Sequence, residues 1–188
     1  MKTLLRTTAL ALTFTASSLF AAVSASPGYA ELGAFKPTEG CQFVEVNLHA
    51  SLLKFAATFV DKEDPATAEL IRALEHVHVN VVGYNDQSRA DTTQRVQSIR
   101  RDLETQGWQR AVTVQQGGND ADVAVYVKSG DNDSIVGLVV TVIDSNEKNA
   151  VVVNLVGNIK PEQLAAVGKR LHIDPLAHLN LKSAGKGV

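Results

Sequence analysis

The chain has one cysteine, one methionine and one tryptophan among 188 residues, and aromatic side chains make up only 5% of it. A single cysteine, Cys41, excludes an internal disulfide framework, because a bridge needs two thiols. It also fits poorly as a lipid-bearing cysteine. Such a residue directly follows an apolar leader, with Leu or a similar residue three places earlier, whereas Cys41 follows Thr38, Glu39 and Gly40. No lipid anchor is expected, and Cys41 is read as a partly buried free thiol. With so few aromatics, the core must be built from Val, Leu, Ile and Ala. No run approaches the roughly 20 apolar residues that a membrane-spanning helix needs.

Catalytic and ligand-binding signatures are missing too. There is no G-x-S-x-G, no P-loop and no dinucleotide fingerprint. The turn-like stretch from Asp131 fails as an EF-hand loop, since its sixth residue is Val136 and its twelfth Val142. His76 and His78 form an H-x-H pair, but no Cys pair or third ligand lies nearby in sequence. The expected strand begins near His78, so His76 is read as a cation-capable residue at a helix C-terminus. Arg95, Arg100 and Arg101 read as a solvated helix face, and Trp108 as a packing residue. No catalytic residue, cofactor or metal is assigned, and the chain is read as not an enzyme.

A leader is present. Residues 1–25 carry Lys2 and Arg6, then an apolar and small-residue stretch ending Val23-Ser24-Ala25. That is the pattern of a secretory signal, with cleavage expected after Ala25 and alternatively after Ala30. Its loss removes two basic residues and no acidic one, leaving sixteen Lys and Arg against twenty Asp and Glu, a net charge of −4. An acidic exported chain is a poor nucleic-acid binder, which needs a cationic footprint. The periplasm is the expected location.

After the leader, residues 26–42 are punctuated by Gly and Pro and read as a linker. A single domain is expected over 43–175, with a flexible tail over 176–188. Phe43 to Leu48 alternates as a strand. Leu52, Leu53, Ala56, Phe59 and Val60 recur at helical spacing, as do Ala68, Ile71 and Leu74, so two short helices parting near Lys62-Glu63 are expected. Asp64-Pro65 is a helix start. A strand from His78 to Tyr84 follows, then a helix with Val96, Ile99 and Leu103 on one face, ended by Gly107. Four period-two stretches come next, separated by Gly, Asn and Asp turns, and then a helix from Pro161. The fold class is α+β: a mainly antiparallel sheet ending in a four-strand meander, with helices packed on one face.

The two central strands are apolar on both sides, so one sheet face needs a further cover. A partner chain, another copy or the N-terminal segment would serve. The candidate partner-facing residues are Val136, Leu138, Val140, Val152, Asn154 and Val156. Asn154 is read as fixing register, because a one-residue slip would move it to the opposite face, and Gly157 as permitting a close approach or a bulge.

Several stretches together resemble a known family. They are "LLKFAATFV", "LIRALEHVHVNVV", "GWQRAVTV", "VYVKSGDNDSIVGLVV", "VVVNLVGNI" and "PEQLAAVGKRL". The chain is similar over Val44 to Leu171 to the exported bacterial domain of unknown function numbered forty-two fifty-two. The resemblance implies a small envelope protein of a Gram-negative bacterium. It also implies a link to extracytoplasmic sigma factors and their antagonists, beside which the family's genes often lie. Its motifs are structural, and it brings no catalytic residues. The functional expectation is an exported, non-enzymatic envelope domain that binds another envelope protein or itself. A small-ligand binder or enzyme with a site at the sheet–helix boundary is the alternative.

Overall fold

The computed structural model describes residues 26–115, 121–131, 134–160 and 163. The elements are β1 (Phe43–His49), α1 (Ala50–Val60), α2 (Pro65–Ala73), β2 (Leu74–Gly83), α3 (Arg89–Thr105), β3 (Gln109–Gln115), β4 (Asp122–Ser129), β5 (Ile135–Asp144) and β6 (Asn149–Ile159). The helix expected from Pro161 and the tail lie outside the described residues.

Local signals set the helices. The turn after Val60 separates α1 from α2, and Asp64 caps α2 by accepting a 3.2 Å hydrogen bond from the Thr67 amide, with Pro65 next to it. Gly107, at φ +77°, turns the chain out of α3. One boundary departs from expectation. β2 begins at Leu74, directly after α2, so His76 is a strand residue and not a helix terminus. Leu74 is drawn into the sheet by pairing with Gly157 across a register shift.

All six strands are antiparallel, in the order β1-β2-β6-β5-β4-β3. The α1–α2 hairpin links neighbours β1 and β2, and α3 carries the chain to the far edge. The meander β3 to β6 then returns until β6 pairs with β2. The class is α+β.

Each face of the sheet carries its own core. On one, α3 sets Val96, Ile99 and Leu103 against Ala124, Tyr126, Val139, Ile143 and Val152. On the other, Leu53 of α1 and Leu70 of α2 join Val125, Val127, Leu138 and Ile159. The helices therefore lie on both faces, not on one as the strand order suggested. Two-sided burial explains why β5 and β6 read as nearly unbroken apolar runs.

The stretch 26–42 contributes to the core rather than acting as a linker. Ala30 and Leu32 are each 1% exposed and Phe35 is 8%, all within the α3-side core. Residues 26–35 form a strap across that face. It crosses the sheet where Gly28 meets Gly137: a Cβ on Gly28 would stand 1.6 Å from the Val136 carbonyl oxygen, so only glycine passes there.

Candidate functional surfaces

The six candidate partner-facing residues do not share a face. Leu138 pairs with Leu155 and Val140 with Val153, while Val139 pairs with Asn154. Leu138 and Val140 thus lie on the α1–α2 side, and Val152, Asn154 and Val156 on the strap side. The cause is the β5–β6 hairpin, which pairs Asp144 with Asn149 and so sets even-numbered β5 residues opposite odd-numbered β6 residues; a separate register shift between Ile135 and Gly137 moves Ile135 into the α1–α2 core. Alternation within each strand gives neither this cross-strand register nor the shift.

Val152, Asn154 and Val156 are fully buried. Of the covers that the sequence allowed for this side, the N-terminal segment is the one found. The Asn154 carboxamide accepts from the Ala30 amide at 3.1 Å and donates to the carbonyls of Gly28 at 3.2 Å and Leu138 at 3.3 Å. It mimics a strand partner for the strap and leaves no polar atom unpaired. Arg95, read as a solvated side chain, donates to the Leu32 carbonyl at 2.7 Å and holds the strap from α3. Arg100 is buried as well. It donates to Thr141 Oγ1 at 2.8 Å and to Asp122 at 2.9 Å. Trp108 is a core residue at 5% exposure.

The α1–α2 side is covered less completely. Register aligns one valine from every strand in each of two rows. Val46, Val79, Val153, Val140, Val125 and Val112 make the first; Val44, Val81, Val151, Val142, Val123 and Val114 make the second. Each row runs about 24 Å across the sheet. Only Val125 of the twelve is buried, and Val44 is 37% exposed. A neighbouring row, which includes Leu138 and Leu155, is where Leu53, Leu70 and Leu74 pack.

Helix α1 adds a second apolar surface. Leu53 and Ala57 face the sheet and are buried. Leu52, Phe55 and Phe59 point away, at 54%, 63% and 67% exposure. Their spacing of three, four and seven puts them on one stripe, and the Phe55 and Phe59 rings meet edge to face at 4.9 Å. Leu52 and Phe59 are among the apolar residues that recur at helical spacing with Leu53, but the helix turns them outward. Two interleaved apolar stripes on one short helix were the signal for this, and only one stripe can face the sheet. Large exposed aromatics in contact are uncommon on a monomer and mark interaction surfaces.

The third feature is a histidine cluster that the β1–β2 register assembles. His49 pairs with His76 and Asn47 with His78. The His49 and His76 rings stack at 4.9 Å, the His76 and His78 rings lie 6.1 Å apart, and Tyr29 of the strap approaches His76 at 5.8 Å. Nε2 of His76 lies 2.5 Å from Asn47 Oδ1, and Nε2 of His78 lies 3.0 Å from Glu45 Oε1. Burial pushes the His76 pKa below its ordinary value, and the neighbouring His49 and His78 push the same way. Because β2 starts at Leu74, the H-x-H pair does share a face. Among the described residues no group of three or more His, Cys, Asp or Glu side chains is arranged to hold a metal ion. Cys41 is a free, half-buried thiol. No described helix is long and apolar enough to cross a membrane.

The architecture is that of an α+β domain with an antiparallel sheet between a helical hairpin and a strapped helix. The model of the domain of unknown function DUF4252 matches residues 36–167. That span is more than half of the chain, and the chain belongs to this family. No curated protein and no solved structure matches it.

Proposed function

We propose that this domain is an exported, non-enzymatic binding module of the bacterial envelope, which docks an apolar partner surface on the outer stripe of α1. The observation that carries the reading is the stripe itself. Leu52, Phe55 and Phe59 are each more than half exposed, and the two rings already touch. Aromatic anchors held on a rigid helix lose little side-chain freedom on docking and dominate binding energy where they are buried. The half-exposed valine rows extend the apolar surface beyond the helix. The partner is a protein with a complementary apolar patch, either a second copy or another envelope protein such as one of a stress-response circuit.

Export is supported by the composition of residues 1–25, and the position of cleavage by the strap. Cleavage after Ala25 keeps Gly28 and Ala30, both partners of Asn154. Cleavage after Ala30 would remove them. Sequencing the mature N-terminus from a periplasmic fraction should therefore give Ser26. A start at Glu31, or retention in the cytoplasm, would contradict this part of the reading.

Docking is tested by crosslinking in intact cells with the wild-type chain and with a Phe55→Ser/Phe59→Ser double variant. The reading expects adducts that disappear in the variant while its thermal midpoint stays unchanged. Identical adducts from both chains would contradict it.

A further inference from the structure

We propose that His49, His76 and His78 form a proton-operated latch on the first residues of the strap, closed when His76 is neutral and opened by acid. The contact with Asn47 fixes which nitrogen carries the His76 proton. An amide oxygen only accepts, so the 2.5 Å contact with Asn47 Oδ1 puts the proton on Nε2. In the neutral ring Nδ1 is then bare. Nδ1 is also buried and has no hydrogen-bond partner among the described residues. A second proton would have to go there, creating a charged N–H with no acceptor on a residue that is 3% exposed.

The surrounding groups reinforce this from every side. The strap contributes the Tyr29 ring, with Glu31 close enough to act on it. Strand β1 contributes His49 in ring contact, Asn47, and Glu45. Strand β2 contributes His78, Asn80 and, at its start, Glu75, which accepts from the Ser26 hydroxyl at 3.5 Å. Charge on His49 or His78 opposes charge on His76. Among the described residues no carboxylate is in hydrogen-bond or ring contact with His76. The cluster therefore resists a proton at its centre.

The centre is where the strap is fastened. His78 lies directly opposite Asn154 in the β2–β6 register, and Asn154 bonds Gly28 and Ala30. Tyr29 lies between those two residues and approaches His76. Lifting residues 26–30 gives water access to Nδ1 and relieves the buried charge, so acid favours the lifted state. The rest of the strap has its own fastening through Arg95 and Leu32. Opening is thus confined to its start and uncovers Asn154, Val156 and Gly137. The lifted state is favoured by about tenfold for each pH unit between the free value of the imidazole and its lowered value in the closed state.

Amide hydrogen exchange on the mature chain at pH 7.5 and pH 5.0, corrected for intrinsic rates, tests this. The latch predicts that the Ala30 amide loses protection at least tenfold at pH 5.0 while the β4 and β5 amides keep theirs. His76→Gln retains an N–H for Asn47 and cannot ionise, so the step should vanish. If that variant does not fold, His49→Gln removes one exposed ring that holds the His76 value down, so the step should shrink and end at a higher pH. The proposal is overturned by an unchanged Ala30 amide in the wild type, by equal loss in the strap and β5, or by an undiminished step in the folded variant.

Discussion

Asn154 and Ala30 lie 124 positions apart and are joined by a 3.1 Å hydrogen bond from the Ala30 amide to the Asn154 side chain. A polar residue in the middle of an apolar strand is costly unless its donors and acceptors are met. Here the strap meets them. Asn154→Val should therefore cost about 2–3 kcal/mol, since it strands the Ala30 amide and the Gly28 carbonyl under the strap. Urea denaturation measures the loss. Asn158→Ala, on an exposed residue four positions later, is the control and should change stability by less than about 0.5 kcal/mol.

The Arg100–Asp122–Thr141 cluster gives a graded expectation. Arg100 has a side chain only 7% exposed, and its ion pair with Asp122 is 2.9 Å long. Asp122→Ala leaves a buried guanidinium without its counter-charge and should cost about 3 kcal/mol. Thr141→Val removes a neutral acceptor and should cost about 1–2 kcal/mol. Chemical denaturation that ranked the two the other way would show that Thr141, not Asp122, anchors the arginine.

His76 sets a pH dependence of global stability. Its folded-state pKa is lowered, chiefly by burial and then by His49 and His78. In the unfolded chain an imidazole takes its proton near pH 6.5. Below that value the unfolded state binds more protons, so this contribution to stability is present above about pH 6.5 and shrinks as pH falls toward the lowered value. Urea midpoints should decline from pH 7 to pH 5 in the wild type, and less steeply in His76→Gln.

Gly157 tests close approach. A Cβ there would stand 2.3 Å from the Ala73 carbonyl oxygen, where the end of α2 passes over β6. Gly157→Ala should destabilise by about 1–3 kcal/mol, through the clash and the unusual backbone angle together. Gly40 has φ +76° and nothing within 4 Å, so Gly40→Ala should show only the conformational cost of about 1 kcal/mol. Thermal melts of the pair separate the two effects.

Features with local causes were legible in the sequence. Asp64-Pro65 opens α2 and Gly107 follows α3 because capping and left-handed turns act over a few residues. The four-strand meander follows from period two and turn residues. Non-local features were not legible. Leu74 to His76 continues the helical pattern of "LIRALEHV" and becomes strand only because β6 offers a partner at Gly157. Alternation within β5 and within β6 does not give their relative register, and it is the pairing of Asp144 with Asn149 that puts Leu138 and Asn154 on opposite faces. The strap has no period, and contacts with residues more than sixty positions away hold it in place. The outer stripe of α1 could be read as core because spacing alone does not say which of two apolar stripes faces the sheet.

The proposed binding role of α1 is tested most directly by a photo-crosslinking amino acid placed at Phe55 of the chain in its native cells, with Gln94, exposed on α3, as the control position. The account predicts a discrete adduct from position 55, absent from position 94, whose mass identifies a second copy or an envelope protein. Equal labelling from both positions, or none from position 55, would contradict it.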